Sequence, residues 1–71
     1  MVEDSIIKIG NAAGVIYHFL ENGECNLSRL KQHLFAKGYD SNTYLMAIGW
    51  LAREGKINIS KTNNKWSISL R

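Results

Sequence analysis

The sequence predicts an α+β fold: three helices followed by a C-terminal β-hairpin, in one domain spanning residues 1–71. Three observations predict it. Apolar residues recur at helical spacing in three successive stretches, each followed by a glycine at Gly23, Gly38 or Gly55. Beyond Gly55 the period changes to two, in "KINIS" and again in "KWSISL". Between these runs lies the polar "KTNNK", whose Asn63-Asn64 pair tolerates the positive φ that tight hairpin turns demand.

Helix 1 is expected from about Ser5 or Ile6 to Glu21 or Asn22, with Asp4 or Ser5 as the N-cap. Ile9, Ala13, Ile16 and Leu20 form its apolar stripe, flanked by Ala12 and Phe19. Gly23 ends it, because glycine takes the left-handed C′ conformation without strain. Gly10 and Gly14 are unusual inside a helix, where each costs about 1 kcal/mol relative to alanine. One turn apart, they make a notch on one flank. The expectation is a packing fit within the monomer; the competing reading is a notch that receives a large side chain from another chain.

Helix 2 begins at "CNLSRL", with Asn26 as N-cap and Cys25 and Leu30 placed as a hydrophobic staple across it. Leu27, Leu30 and Leu34 are its buried stripe, Lys37 lies near its end, and Gly38 follows. A very short strand is possible at Glu24-Cys25. Helix 3 is capped by Asp40 or Ser41 and buries Tyr44, Ala47, Ile48 and Leu51, with Ala52 beside them, before Gly55 closes it. In the hairpin, Ile57 and Ile59 share a face, as do Trp66, Ile68 and Leu70. A hairpin is stable only over a second layer, which the helices supply. Helices 2 and 3 joined by a glycine-containing turn make a helix-turn-helix, and the hairpin makes a wing.

Two phrases narrow this pattern. "IGNAAGVIYHFLENG" in helix 1 and "AIGWLAREGKI" in helix 3 resemble the signatures of a small family of stand-alone winged helix-turn-helix domains from bacteria and archaea. The likeness covers nearly the whole chain, and the second phrase is the more specific. It implies the fold and a role in DNA binding or regulation, with no ligand or reaction to carry over. Tyr17 stands where the family pattern more often has Trp.

Composition bounds the function. The single cysteine, Cys25, excludes a disulfide framework and fits a reducing cytoplasm. The start "MVEDSIIKIG" lacks the basic region of a secretory signal, and no apolar run approaches the ~20 residues that span a membrane. The net charge of +3 permits nucleic-acid binding without requiring it. An enzyme is not expected: there is no phosphate-binding glycine loop, paired-carboxylate motif or nucleophile signature. His18, His33 and Cys25 match no zinc spacing, so no metal, other cofactor or small-molecule ligand is expected. Both histidines read as surface or boundary residues and Cys25 as a small packing residue.

The fold makes double-stranded DNA the first expected partner. Ser41, Asn42, Thr43 and Met46 would face the major groove, and Lys61, Asn63, Asn64 and Lys65 at the wing tip would meet phosphates. Arg53, with Arg29 and Lys31, would add backbone contacts. Yet Leu45, Met46, Gly49 and Trp50 dominate the outward face of helix 3, leaving Asn42 as its only bidentate base reader. The alternative is a protein-interaction module without DNA binding. In that reading Met46 and Trp50, one turn apart, form a homodimer interface with the Gly10/Gly14 notch, unless Trp50 folds onto helix 1 or the hairpin of its own chain.

Overall fold

The computed structural model describes residues 2–71, with side chains from Ser5 onward. The elements run α1 (Val2–Leu20), β1 (Cys25–Asn26), α2 (Leu27–Ala36), α3 (Ser41–Arg53), β2 (Ile57–Thr62) and β3 (Lys65–Leu70). Helix α1 is already under way at Val2, so Ser5 lies inside the helix instead of capping it. The other candidate cap, Asp4, is also within the helical span, and its side chain lies outside the described residues.

The later caps are set by short side chains and glycines. Asn26 is extended (φ −80°, ψ 160°) and its Oδ1 accepts a hydrogen bond from the Arg29 N–H at 2.7 Å. That satisfies one of the donors a helix start leaves free. Asp40 does the same for α3, accepting from the Thr43 N–H at 2.8 Å; Ser41 becomes the first helical residue. Both helices end in the same motif. After α2, the Tyr39 N–H donates to the Leu34 carbonyl and the Gly38 N–H to the Phe35 carbonyl, each at 3.0 Å. After α3, Lys56 donates to Leu51 and Gly55 to Ala52, at 3.0 and 3.1 Å. This paired closure requires a left-handed residue between the two donors' turns, and Gly38 (φ 92°) and Gly55 (φ 70°) supply it.

The wing is a two-residue hairpin. Asn63 and Asn64 have φ of 52° and 65°, as a type I′ turn requires, and Thr62 pairs directly with Lys65. Lys61 and Lys65 are therefore strand residues that flank the turn. The register sets Ile57 opposite Leu70, Ile59 opposite Ile68, and Lys61 opposite Trp66. The short third strand exists one residue later than expected: Cys25 pairs with Ile68 and Asn26 with Ser67, giving the sheet order β1-β3-β2. One backbone segment thus serves as strand and helix cap at once.

The core lies between the sheet and the helices. Ala12, Ala13, Ile16 and Leu20 of α1 meet Leu30 and Leu34 of α2, Tyr44, Ala47, Ile48 and Leu51 of α3, and Ile57 and Ile68 of the sheet. Ile9, Phe19, Cys25, Leu27 and Leu70 pack around its margin. Tyr44 stays buried by donating its hydroxyl hydrogen to the Leu27 carbonyl at 3.2 Å, which ties α3 to the start of α2. One expected core position is exposed. Ala52 lies on the solvent side of α3, about 100° beyond Leu51 around the helix. Ile59 and Trp66 keep the predicted strand alternation but are exposed: Ile59 lies on the edge strand β2, opposite the buried Ile68, and Trp66 lies one same-face pair nearer the turn.

Asp40 gives the fold a measurable acid response. The Thr43 N–H, first among several groups, holds its carboxyl below the usual value of 3.8. A lowered folded-state pKa stabilises the fold above the unfolded-state pKa, and that contribution is lost as pH falls through the folded value. Asn is an equally good cap without the charge. The stability advantage of the wild type over Asp40→Asn, read from urea midpoints, is expected near neutrality and should be lost as pH falls through the lowered folded-state value. An advantage that is the same at both pH values would show that the charge contributes nothing.

Candidate functional site

Two surfaces gather the residues that sequence reasoning singled out. The first is the outward side of α3 with the wing. At ~100° per residue, Asn42, Gly49 and Arg53 fall nearly on one line along α3, with Leu45 and Met46 on either side. All five are exposed, and Leu45 and Met46 are each more than half exposed. Ser41 and Asn42 border a shallow concavity of about 550 Å³ with Phe35, Gly38, Tyr39 and Asp40. Lys61, Asn63, Asn64 and Lys65 are all exposed on the wing.

Thr43 is a correction to the expected DNA-facing set. It is buried on the core side of α3, next to Tyr44, and its N–H is committed to Asp40. Its position in the third residue of the helix turns it about 100° from Asn42, toward α1. Arg53 is exposed as expected, but it lies eleven residues beyond Asn42 in α3, roughly 16 Å along the axis. It cannot serve the same base pairs as the N-terminal end.

The second surface lies between α1 and α3. Trp50 leaves the outward line and turns toward α1, where with Ile6, Ile9 and Gly10 it lines an entirely apolar depression of about 200 Å³. A neighbouring groove of about 300 Å³ is lined by Gly10, Ala13, Gly14, Tyr17, His18, Trp50, Leu51 and Lys56. Trp50 nevertheless remains 54% exposed. It is neither folded away within the chain nor free on all sides. The expectation that Gly10 and Gly14 make a packing fit within the monomer fails: a Cβ built on either meets no heavy atom within 4 Å. The notch is open, and Ile6 and Ile7 beside it are 57% and 60% exposed. Sequence reasoning missed these two isoleucines: Ile6 lies one turn before Ile9 and lines the same depression, while Ile7 falls on the far side of α1 from the Ile9 stripe.

The remaining chemistry is structural. Cys25 is half-buried, and that burial pushes its thiol up from the ordinary value, disfavouring the thiolate that a reactive cysteine needs. His18 is exposed and bonded through Nδ1 to Glu21 Oε1 at 3.0 Å. His33 stacks on Phe19 with ring centroids 4.2 Å apart. Among the described residues, no three His, Cys, Asp or Glu side chains group as metal ligands would. No described helix is long and apolar enough to cross a membrane.

Comparison with known proteins agrees with this architecture. The family model "Winged helix-turn-helix domain (DUF2582)" matches residues 1–70. An uncharacterized protein of Methanocaldococcus jannaschii is 53% identical over 70 residues, covering 99% of this chain and 100% of that protein. No solved structure gives a significant match. Three helices, a wing and a family match over nearly every residue lead to one conclusion: the chain belongs to the DUF2582 family of winged helix-turn-helix domains.

Proposed function

We propose that this protein is a non-enzymatic, homodimeric DNA-binding module, in which the α1–α3 face holds two copies together and the wings, with the N-terminal end of α3, meet duplex DNA. The observation that carries the reading is the open apolar surface around the Gly10/Gly14 notch. Ile6, Ile7, Met46 and Trp50 are each more than half exposed there or beside it. Exposed apolar groups cost free energy in water, and a contiguous group of them on a small domain marks an association site. Tryptophan is enriched among residues that dominate interface energy. In a two-fold dimer, Trp50 of each copy would enter the glycine notch of the other.

The part of the reading that concerns DNA is supported by the separation of surfaces on α3. Because Trp50 turns toward α1, association through that flank leaves Asn42 and the wing free. Lys61 and Lys65 stand at a tip that also carries Asn63 and Asn64, groups suited to phosphate contact. The outward line offers little base reading beyond Asn42, so the expected binding is largely electrostatic and weakly sequence-selective. Association without DNA binding uses the same dimer and differs only in the last measurement below.

Light scattering should give twice the monomer mass for the wild type. Trp50→Ala should shift the equilibrium to monomer, weakening the dimer by about 2 kcal/mol or more, some thirtyfold in Kd. A wild type that remains monomeric at high concentration sinks the dimer. Duplex affinity, followed by anisotropy, should fall steeply with salt, and Lys61→Gln with Lys65→Gln should flatten that slope. No binding to duplex at low salt would leave the interaction module as the function.

A further inference from the structure

The wing holds a feature that neither the helix face nor the dimer uses. Trp66 is 45% exposed, although its strand neighbour on the same face, Ile68, is fully buried. Lys61, its cross-strand partner, places Nζ 5.3 Å from the indole centroid. Trp66 also lines a cleft of about 330 Å³ between the wing and the start of α2, with Asn26, Leu27, Ser28, Asn64 and Lys65. Along the sequence, the segments that border this cleft carry cations, and Glu24 directly precedes the first of them. Residues 25–39 and 55–71 carry Arg29, Lys31, Lys37, Lys56, Lys61, Lys65 and Arg71, and not one Asp or Glu. Every acidic residue of the chain falls in the other segments.

An aromatic ring in a cleft, a cation over it and no acid on either bordering segment describe a site for a stacked ring attached to an anion. Duplex DNA does not present that, because its bases are stacked on one another. A single strand does. We propose that the α2–wing cleft binds single-stranded nucleic acid, with an unpaired base stacked on Trp66 and the adjoining phosphates on Lys61 and Lys65. Leu27 supplies an apolar wall, and Ser28 and Asn64 line the same cleft as polar residues. Arg29, one residue beyond Ser28, extends the cationic track along α2. Stacking tolerates any base, so the site selects unpaired strands over duplex and is nearly indifferent to sequence. It shares Lys61 and Lys65 with the duplex reading above but does not depend on it, since the duplex would lie along Asn42 of α3.

The test is anisotropy at low salt with three labelled probes: an oligothymidylate of about 12 nucleotides, the matching oligouridylate, and a mixed-sequence duplex. Both single strands should bind, the tighter of the two naming the strand that the site prefers. Trp66→Ala should weaken single-strand binding about tenfold, while Trp66→Phe retains most of it. Because Trp66 is exposed, both variants should keep the wild-type circular dichroism spectrum. In a Trp50→Phe background, the emission of Trp66 should be quenched as oligothymidylate is added. Trp66→Ala should leave duplex affinity nearly unchanged, whereas Asn42→Ala should lower duplex affinity alone. Single-strand binding that ignores Trp66→Ala, or no single-strand binding at all, overturns the proposal. So does an equal loss of duplex affinity in Trp66→Ala, which would make the ring a duplex contact. Duplex binding that survives while single-strand binding fails removes this inference and leaves the previous one standing.

Discussion

Ile68→Ala should destabilise the fold by about 2–5 kcal/mol, the range for truncating a buried isoleucine to alanine. Ile68 is fully buried in the central strand, paired to Cys25 on one side and Ile59 on the other. With Ile57 it forms the sheet's part of the buried core. A domain of this length has a total stability of roughly 4–11 kcal/mol, so the single change removes a large share of it. Urea unfolding should show a much lower midpoint with little change in slope. The control is Ile59→Ala, which removes the same atoms from the directly opposite position. Ile59 is 42% exposed, so its loss should cost under about 1 kcal/mol. Similar losses at the two sites would mean that the sheet is not packed on the helices as described.

The Gly10→Ala, Gly14→Ala double variant should move in the opposite direction. Each glycine sits in the interior of α1 with open space where a Cβ would stand. Each replacement removes backbone freedom from the unfolded chain and adds about 1 kcal/mol of stability. Together they should raise the midpoint of thermal unfolding by roughly 8–16 °C, measured at a concentration where the chain is monomeric. The same two methyl groups would fill the notch that the proposed dimer needs. The variant should therefore be more stable as a monomer and poorer at association, a combination that separates the two roles of the helix. A loss of monomer stability would instead restore the packing fit expected from the sequence.

Much of the fold could be read from the residues because local chemistry decides it. Asn26 and Asp40 cap their helices through their own side chains, and Gly38 and Gly55 end them through backbone conformation. Asn63 and Asn64 set the hairpin turn, and with it the whole wing register. None of these depends on a distant partner. The errors arise where a distant partner decides. Strand alternation puts Ile59 and Trp66 on the core face of the hairpin, but which strand forms the sheet edge and where the helices lie decide what that face buries. Helical spacing separates Trp50 from the core stripe, but only the placement of α1 shows that it leans into a groove beside Gly10. Thr43 reads as a groove-facing residue from its place near the start of α3, and the rotation of α3 about its axis turns it inward. The candidate site was therefore legible as a set of residue types and only partly as a surface.

The two-residue strand β1 also governs when the molecule can assemble. The hairpin is local and can close in about 1–10 μs, and each helix carries its own stop signals. The Cys25–Ile68 pair instead joins positions about forty residues apart. Closing that loop is entropically costly until α2 and α3 have already brought its ends together. Because Asn26 is both the last residue of β1 and the cap of α2, adding the third strand and fixing the start of α2 are one event. Strand addition is thus expected late on the folding route, once the docked helices have brought the open edge of β3 beside Cys25 and Asn26.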